Sequence, residues 1–287
     1  MKTGSASQTA SMVAFMRALA DIGITSVPGF RDPTARQLLA PPWSTFFRFA
    51  ERRLPKASPQ ARQGAAAWVD VLALRTVLID AYLREALARG IRQVVILGAG
   101  LDGRAYRIQE LADATVFEVD HPDTQAFKKS RLSSLTPTAK QLRFVSVDFE
   151  KDSLDRALEQ AGHLTGEPTF FIWEGVVMYL TDQAVRSTLR VVASRSAPGS
   201  SILINYSVPG TRPGSMRLLL RVWREPQIGE RTPDAMKALV EEARFEVTED
   251  SGMPEWAKRF DARPPPPRIE RRFRIMLAQA GGTQPAR

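Results

Sequence analysis

The chain has 287 residues, of which 44% are hydrophobic; it carries a formal charge of +9 and contains no cysteine. That apolar content supports one large α/β domain and excludes global disorder, while the lack of thiols excludes disulfides, zinc fingers, thiolate metal sites and a cysteine nucleophile. The positive charge is scattered, mostly as arginine with acids interleaved, and no basic run is spaced by stacking aromatics, so a nucleic-acid partner is not expected.

Residues 1–90 read as predominantly helical, cut into short pieces by Pro28, Pro33, Pro41, Pro42, Pro55 and Pro59, a composition suited to a cap. The opening stretch MKTGSASQTASMVAFMRALADIG is interrupted by Arg17 and Asp21 and reads as neither a signal peptide nor a membrane span. With the absent cysteines, this makes a cytoplasmic location without a membrane partner the expectation. Met12, Phe15, Met16 and Leu19 share one helical face. Trp43, Phe46, Phe47 and Phe49, with Trp223 much later, read as core or cap packing, or as the lining of a substrate pocket.

The most informative stretch is RQVVILGAGLDGRAYRI, from Arg92 to Ile108. Its apolar run, Val94 to Leu97, leads into Gly98-Ala99-Gly100 and a helix-like segment, which predicts a strand, a turn and a helix. Without a Cβ, glycine adopts turn conformations closed to other residues and lets the backbone lie against a ligand. Gly98, Gly100 and Gly103 also satisfy G-x-G-x-x-G, so on the motif alone NAD or FAD, S-adenosylmethionine and an ordinary tight turn all stay open. A second strand, Thr115 to Val119, ends in acid about twenty residues past the first glycine. Glu118 and Asp120 fall on one face, so a single carboxylate suffices for the ribose hydroxyls that both cofactors present; Asp120, at the tip, is favoured.

LRFVSVDFEKDSL ends a third strand at Asp148, PTFFIWEGVVMYLTDQAV ends a fourth near Glu174, and SSILINYS is a fifth. In a doubly wound sheet the carboxyl ends of the strands line the ligand crevice, which brings Asp120, Asp148 and Glu174 together. VPGTRPGSMRLLLRVWREPQIGE then leads into an amphipathic segment whose Leu218, Leu219, Val222 and Trp223 are candidates to face that cleft. Phe245 to Val247 and Phe273 to Leu277 supply the last two strands, joined through the stiff stretch Pro264 to Pro267. The densest basic cluster is Arg268, Arg271, Arg272 and Arg274; there Arg272 and Arg274 alternate with Phe273 and Ile275 as an edge strand with one solvated face does. Of the two histidines, His121 follows Asp120 at the cofactor rim or in a solvated loop, and His163, in AGHLTG, reads as solvated.

GAGLDGRAYR, FEVDHP, VDFE and WEGVVMYL resemble the S-adenosylmethionine-dependent methyltransferases of the leucine carboxyl methyltransferase superfamily, in their bacterial branch. The likeness runs from about Ser7 to Tyr206 and takes in TASMVAFMRALA, RDPTARQLL and RTVLID, the last from Arg75 to Asp80. It implies an α/β, class I methyltransferase (Rossmann-like) fold: a seven-stranded doubly wound sheet with an antiparallel final strand and a helical cap. Within a single domain, residues 1–90 would form the cap and cofactor clamp, 91–206 the cofactor-binding core, 207–240 a cap insertion and 241–287 the C-terminal strands. The resemblance further implies that S-adenosyl-L-methionine is the cofactor, that Gly98 and Gly100 approach it, and that Asp120 holds its ribose. Asp148 with Phe149 would address the adenine, Glu174 would lie near the methionine end, and Arg75 would take the methionine carboxylate. Taken alone, Arg75 reads as a solvated helix arginine. One departure stands out: the family commonly has GLDTR where this chain has Leu101-Asp102-Gly103-Arg104, so a hydroxyl is missing at 103.

The activity this implies is O-methylation of a small-molecule acceptor. A carboxylate, with a pKa near 4, is ionised at pH 7 and needs no general base, whereas a phenol near 10 profits from one. The shortage of histidines therefore favours a carboxyl acceptor, while Tyr106, Tyr179 and Tyr206 keep a hydroxyl acceptor open. The alternatives are an NAD-dependent oxidoreductase and a nucleotide-binding protein without catalysis.

Overall fold

The computed structural model describes residues 7–148, 152–210, 223, 227–267 and 269–281. Its strands are β1 (Gln93–Leu97), β2 (Thr115–Asp120), β3 (Gln141–Ser146), β4 (Thr169–Trp173), β5 (Ser201–Ser207), β6 (Phe245–Gly252) and β7 (Phe273–Ala280). They form one sheet in the order β3-β2-β1-β4-β5-β7-β6, with β1 to β5 parallel and β7 antiparallel to both neighbours. β1 and β4 are buried along their whole length, as central parallel strands covered on both faces must be. The predicted sheet with its antiparallel last strand is therefore present.

The N-terminal helices are α1 (Gln8–Asp21), α2 (Pro33–Gln37), α3 (Trp43–Arg53) and α4 (Pro59–Ala88). The prolines break the chain only as far as Pro59; that residue sits in the first turn of α4, which then runs for 30 residues behind a Ser58 cap. Proline is tolerated there because the first amides of a helix have no intrahelical acceptor. The apolar residues of α4, among them Leu74, Leu78 and Leu83, join Val94, Ile96, Phe170 and Leu203 in the core on one sheet face. Val95, Phe117, Phe171 and Ile202 point to the opposite core, as alternation along each strand requires. In α1 the Met12–Phe15–Met16–Leu19 stripe is closed only in part: Leu19 is buried, the other three are half-buried, and Ser11, Ala14 and Ala18 complete the buried face.

The remaining helices connect the strands: α5 (Arg104–Arg107), α6 (Pro122–Leu132), α7 (Leu154–Gln160), α8 (Asp182–Ser194), α9 (Pro233–Glu242) and α10 (Met253–Arg259). Among the described residues, no helix is long and apolar enough to cross a membrane.

Two readings of the sequence are corrected here. β7 is not an edge: β6 covers it, and the Arg274 guanidinium meets Asp250 of β6 at 3.1 Å while Arg272 is buried. The alternation was produced by a paired arginine, not a solvated one; Arg268 lies outside the described residues. His163 is likewise buried, with Nε2 3.1 Å from Thr169 Oγ1 and its ring 5.5 Å from Phe117 and 5.9 Å from Phe171.

Burial, with the Arg195 charge nearby, pushes the His163 pKa down to about 4. The neutral ring is therefore the folded form, and its contribution is complete above the unfolded pKa of about 6.5 and lost as pH falls toward 4. Thermal melts between pH 7 and 4 should show a falling Tm that is shallower in His163→Gln; equal slopes would show that this histidine does not titrate with unfolding.

Candidate active site

A cavity of about 510 Å³ opens at the carboxyl ends of β1, β2 and β4, where the strand order reverses. Its wall includes Arg75, Gly98, Gly100, Asp120, Asp148 and Glu174, so six of the seven predicted site residues come together. The seventh, Phe149, lies outside the described residues, as do Leu218, Leu219 and Val222. On the open side α1 closes the cavity with Ala10, Val13 and Arg17.

The two strand-tip acids of β2 separate cleanly. Asp120 lines the cavity, accepts from the backbone N–H groups of Gly100 and His121, and has its pKa raised by burial, which those bonds only partly offset. Glu118 is buried one pleat below and pairs with Lys128 at 2.6 Å, so its carboxylate serves the core. His121 caps α6 through Nδ1 and also lines the cavity.

Beneath the cavity lies a buried network of four arginines and four carboxylates, Arg17, Arg75, Arg104 and Arg107 with Asp32, Asp80, Asp102 and Glu174. Arg104, 1% exposed, bonds Asp80 at 2.7 Å, Glu174 at 2.7 Å and Asp102. Glu174 places its other oxygen 2.8 Å from Arg75 Nε. Arg107 links Asp80 at 2.6 Å to Asp32 at 3.6 Å, and Arg17 closes the chain on Asp32 at 2.8 Å. Burial raises the Glu174 pKa, but Arg104 and then Arg75 outweigh it and hold the carboxyl below its usual range. For Arg104 and Arg107 the carboxylates likewise outweigh burial. For Arg75 they do not: burial depresses its pKa in spite of Glu174, helped by the like charges of Arg104 and Arg17.

Arg75 is thus neither solvated nor free. Its Nη1 also donates to Asn205 Oδ1 at 3.4 Å, a residue fully buried in β5 that the sequence pattern did not single out. Arg104, Asp80, Asp102, Arg107, Arg17 and Asp32 were missed as well. The available signal was an arginine or an acid standing inside otherwise apolar or turn-forming runs, in RTVLID, RDPTARQLL and GLDGRAYR. Tyr179 also lines the cavity, and its hydroxyl accepts from Gln227 Nε2 at 3.2 Å.

The three glycines of the turn have three different causes. Gly98 and Gly100 have φ of +66° and +50°, the left-handed region in which a side chain is strained, and both are on the cavity wall. At Gly98 a Cβ would also sit 2.4 Å from Val176 Cγ2. Gly103 has ordinary backbone angles; what occupies the place of its Cβ is Thr34 of α2, whose Oγ1 would be 1.8 Å away. That hydroxyl donates to Asp32 Oδ1 at 2.6 Å. The space beside residue 103 is filled here by a threonine from another segment.

A family model for leucine carboxyl methyltransferase matches residues 10–193. The chain belongs to this family. A protein of Mycolicibacterium paratuberculosis, provisionally named an S-adenosyl-L-methionine-dependent methyltransferase, is 38% identical over 206 residues, 71% of this chain and 67% of the relative. One of Mycobacterium marinum with the same name is 39% identical over 201 residues, 69% of this chain and 65% of the relative, so this chain spans about two thirds of their length. Among solved structures, a DUF574 family protein from Streptomyces avermitilis superposes with a TM-score of 0.57 at 15% identity, covering 96% of this chain and 98% of that one. A provisionally assigned methyltransferase from Thermobifida fusca gives 0.53 at 18%, covering 94% and 95%. These two establish the class I methyltransferase fold alone. With the family, the cofactor is S-adenosylmethionine, and the dinucleotide reading of the glycine spacing is set aside.

Two outcomes are expected. Gly103→Ala should lower Tm by several degrees, since overpacking costs about 1–3 kcal/mol, and adding Thr34→Gly should recover most of the loss; additive losses in the double variant would show that the two positions do not share one space. Asp120→Asn should weaken binding of S-adenosylhomocysteine in a calorimetric titration while Glu118→Gln, in a folded protein, does so less; the reverse order would assign the ribose to Glu118.

Proposed function

We propose that this chain transfers the methyl group of S-adenosylmethionine to a carboxylate oxygen of a small-molecule acceptor, with Arg75, Gly98, Gly100, Asp120, Asp148 and Glu174 holding the cofactor. The residues suit that group. Gly98 and Gly100 leave the wall free of side chains, Asp120 offers acceptor oxygens at a strand tip, and Arg75 carries a charge that Glu174 compensates only in part. An arriving carboxylate would complete that compensation, and Glu174 is an anion suited to the neighbouring ammonium. Bound there, the cofactor supplies a methyl already electrophilic on its sulfonium.

What is left to the chain is alignment of the acceptor and exclusion of water. The observation that carries the carboxylate reading is the state of Glu174: both oxygens are engaged by Arg104 and Arg75, and its pKa is held low, which makes it a poor base. His121 belongs to the end of β2, two strand spacings from β4 and so about 10 Å away. A carboxylate acceptor needs neither. A phenol would have to find its base among residues here assigned to the cofactor.

The test offers a panel of small carboxylic acids and phenols with methyl-labelled S-adenosylmethionine. Methyl esters release the label as methanol in mild alkali and aryl ethers do not, so base-labile product from acids is expected; base-stable product from phenols alone would overturn the carboxylate reading.

Arg75→Ala should raise the dissociation constant of S-adenosylhomocysteine about ten- to one-hundred-fold, since hydrogen bonds to charged groups contribute about 1.5–3 kcal/mol. Arg75→Lys should fall between, restoring charge without the two-pronged geometry. 5′-Methylthioadenosine lacks the carboxylate and should bind all three proteins alike; equal losses for both ligands would make Arg75 a purely structural member of the network.

A further inference from the structure

Helix α3 presents two faces that serve different purposes. Phe47 points inward and is 2% exposed, anchoring the helix, while Phe46 and Phe49 stand 54% and 62% exposed on the outer side. Solvent-facing phenylalanine is unfavourable by its apolar area, and here two lie one turn apart. They are surrounded by exposed cations: Arg48, Arg52, Arg53 and, just past the helix, Lys56. The one carboxylate between residues 43 and 56 is Glu51, and it is paired with Arg36 at 2.9 Å. The Arg53 guanidinium lies 5.2 Å over the Phe49 ring, so apolar surface and charge are presented at one place.

Against the expectation of no membrane partner, we propose that the outer face of α3 docks on the surface of an anionic phospholipid bilayer. Apolar rings entering the headgroup boundary beside cations that meet lipid phosphates is the chemistry of interfacial attachment, and both parts are present on one helix anchored by Phe47. A second copy of the chain is the poorer occupant, because a two-fold interface sets a patch against itself and would bring these cations onto their own images. Single-stranded nucleic acid calls for a groove that tracks the backbone, and a lone convex helix offers none.

The placement gives docking a consequence for the cavity. Trp43, the first residue of α3, packs 5.5 Å from Phe15 and donates Nε1 to Gln8 Oε1 at 3.3 Å. Ser7 and Thr9, on either side of Gln8, line the cavity. Attachment through α3 therefore places the bilayer contact beside the α1 edge of the cavity. The inference does not depend on the acceptor being a carboxylate.

The test is co-flotation of the full-length protein with vesicles of phosphatidylcholine alone and of phosphatidylcholine with phosphatidylglycerol as the minority lipid, at low and high salt. Flotation with the anionic vesicles only, weakened by salt, is expected. Phe46→Ser/Phe49→Ser and Arg48→Glu/Arg52→Glu should each reduce partitioning about tenfold or more with S-adenosylhomocysteine affinity unchanged; because the Phe46 ring also meets Trp43 edge to face at 6.2 Å, it is the arginine pair that should leave Tm unchanged. Absence of flotation, or flotation that the variants do not change, overturns the proposal. A dimer, or a complex with single-stranded DNA, that these substitutions abolish in the absence of flotation would overturn it too and give the face to that partner.

Discussion

The Arg104 guanidinium is the interaction on which the rest of the site depends. It sits 1% exposed where α4, the turn after β1 and the end of β4 meet, and it holds one carboxylate from each: Asp80, Asp102 and Glu174. A buried ion pair is weak evidence of stability by itself, since desolvation offsets most of the Coulomb gain, but removing one partner leaves a buried charge uncompensated at about 3–5 kcal/mol. Four arginines against four carboxylates make the set neutral, so each member holds the others in place. Through it the helices that precede the sheet become part of the cavity: Arg17 of α1 and Arg75 of α4 line it, held by Asp32 and Glu174 respectively.

The same arrangement explains why a carboxylate in this network is a poor base, and the proposed role of Arg75 as an anion receptor rests on it. Glu174 receives two guanidinium groups and is held as the anion. Arg75, at the end of the chain of pairs, shares its one carboxylate with Arg104 and is left with burial uncompensated. In the proposed cofactor site that imbalance, confined to the cavity wall, would be relieved by a ligand and not by rearrangement of the core.

Much of the architecture was legible because it is local. Apolar runs ending in glycine or acid mark β1, β2 and β4 and bring Gly98, Gly100, Asp120 and Glu174 to one crevice. What was not legible is long-range. Arg104 and Glu174 are 70 positions apart, Arg75 and Asn205 130, and no periodicity reports such a pairing. β7 looked like an edge because alternation reveals two unlike faces without saying whether the polar one meets water or Asp250. His163 looked solvated because its glycine-flanked loop is polar, yet the ring turns inward between two phenylalanines.

The glycine spacing is the clearest case of one pattern arising from unlike causes. Gly98 and Gly100 are required by left-handed backbone and an open wall, which any nucleotide-binding turn shares. Gly103 is required by Thr34, a contact between the turn and a segment about seventy residues upstream that a dinucleotide fold has no reason to contain. The third glycine of G-x-G-x-x-G is thus accounted for here by the Thr34 side chain and not by a helix packing closely on a strand. Since Thr34 also bonds Asp32, and Asp32 holds Arg17 at the cavity wall, the position that seemed to depart from the family pattern is tied into the network that surrounds Arg104.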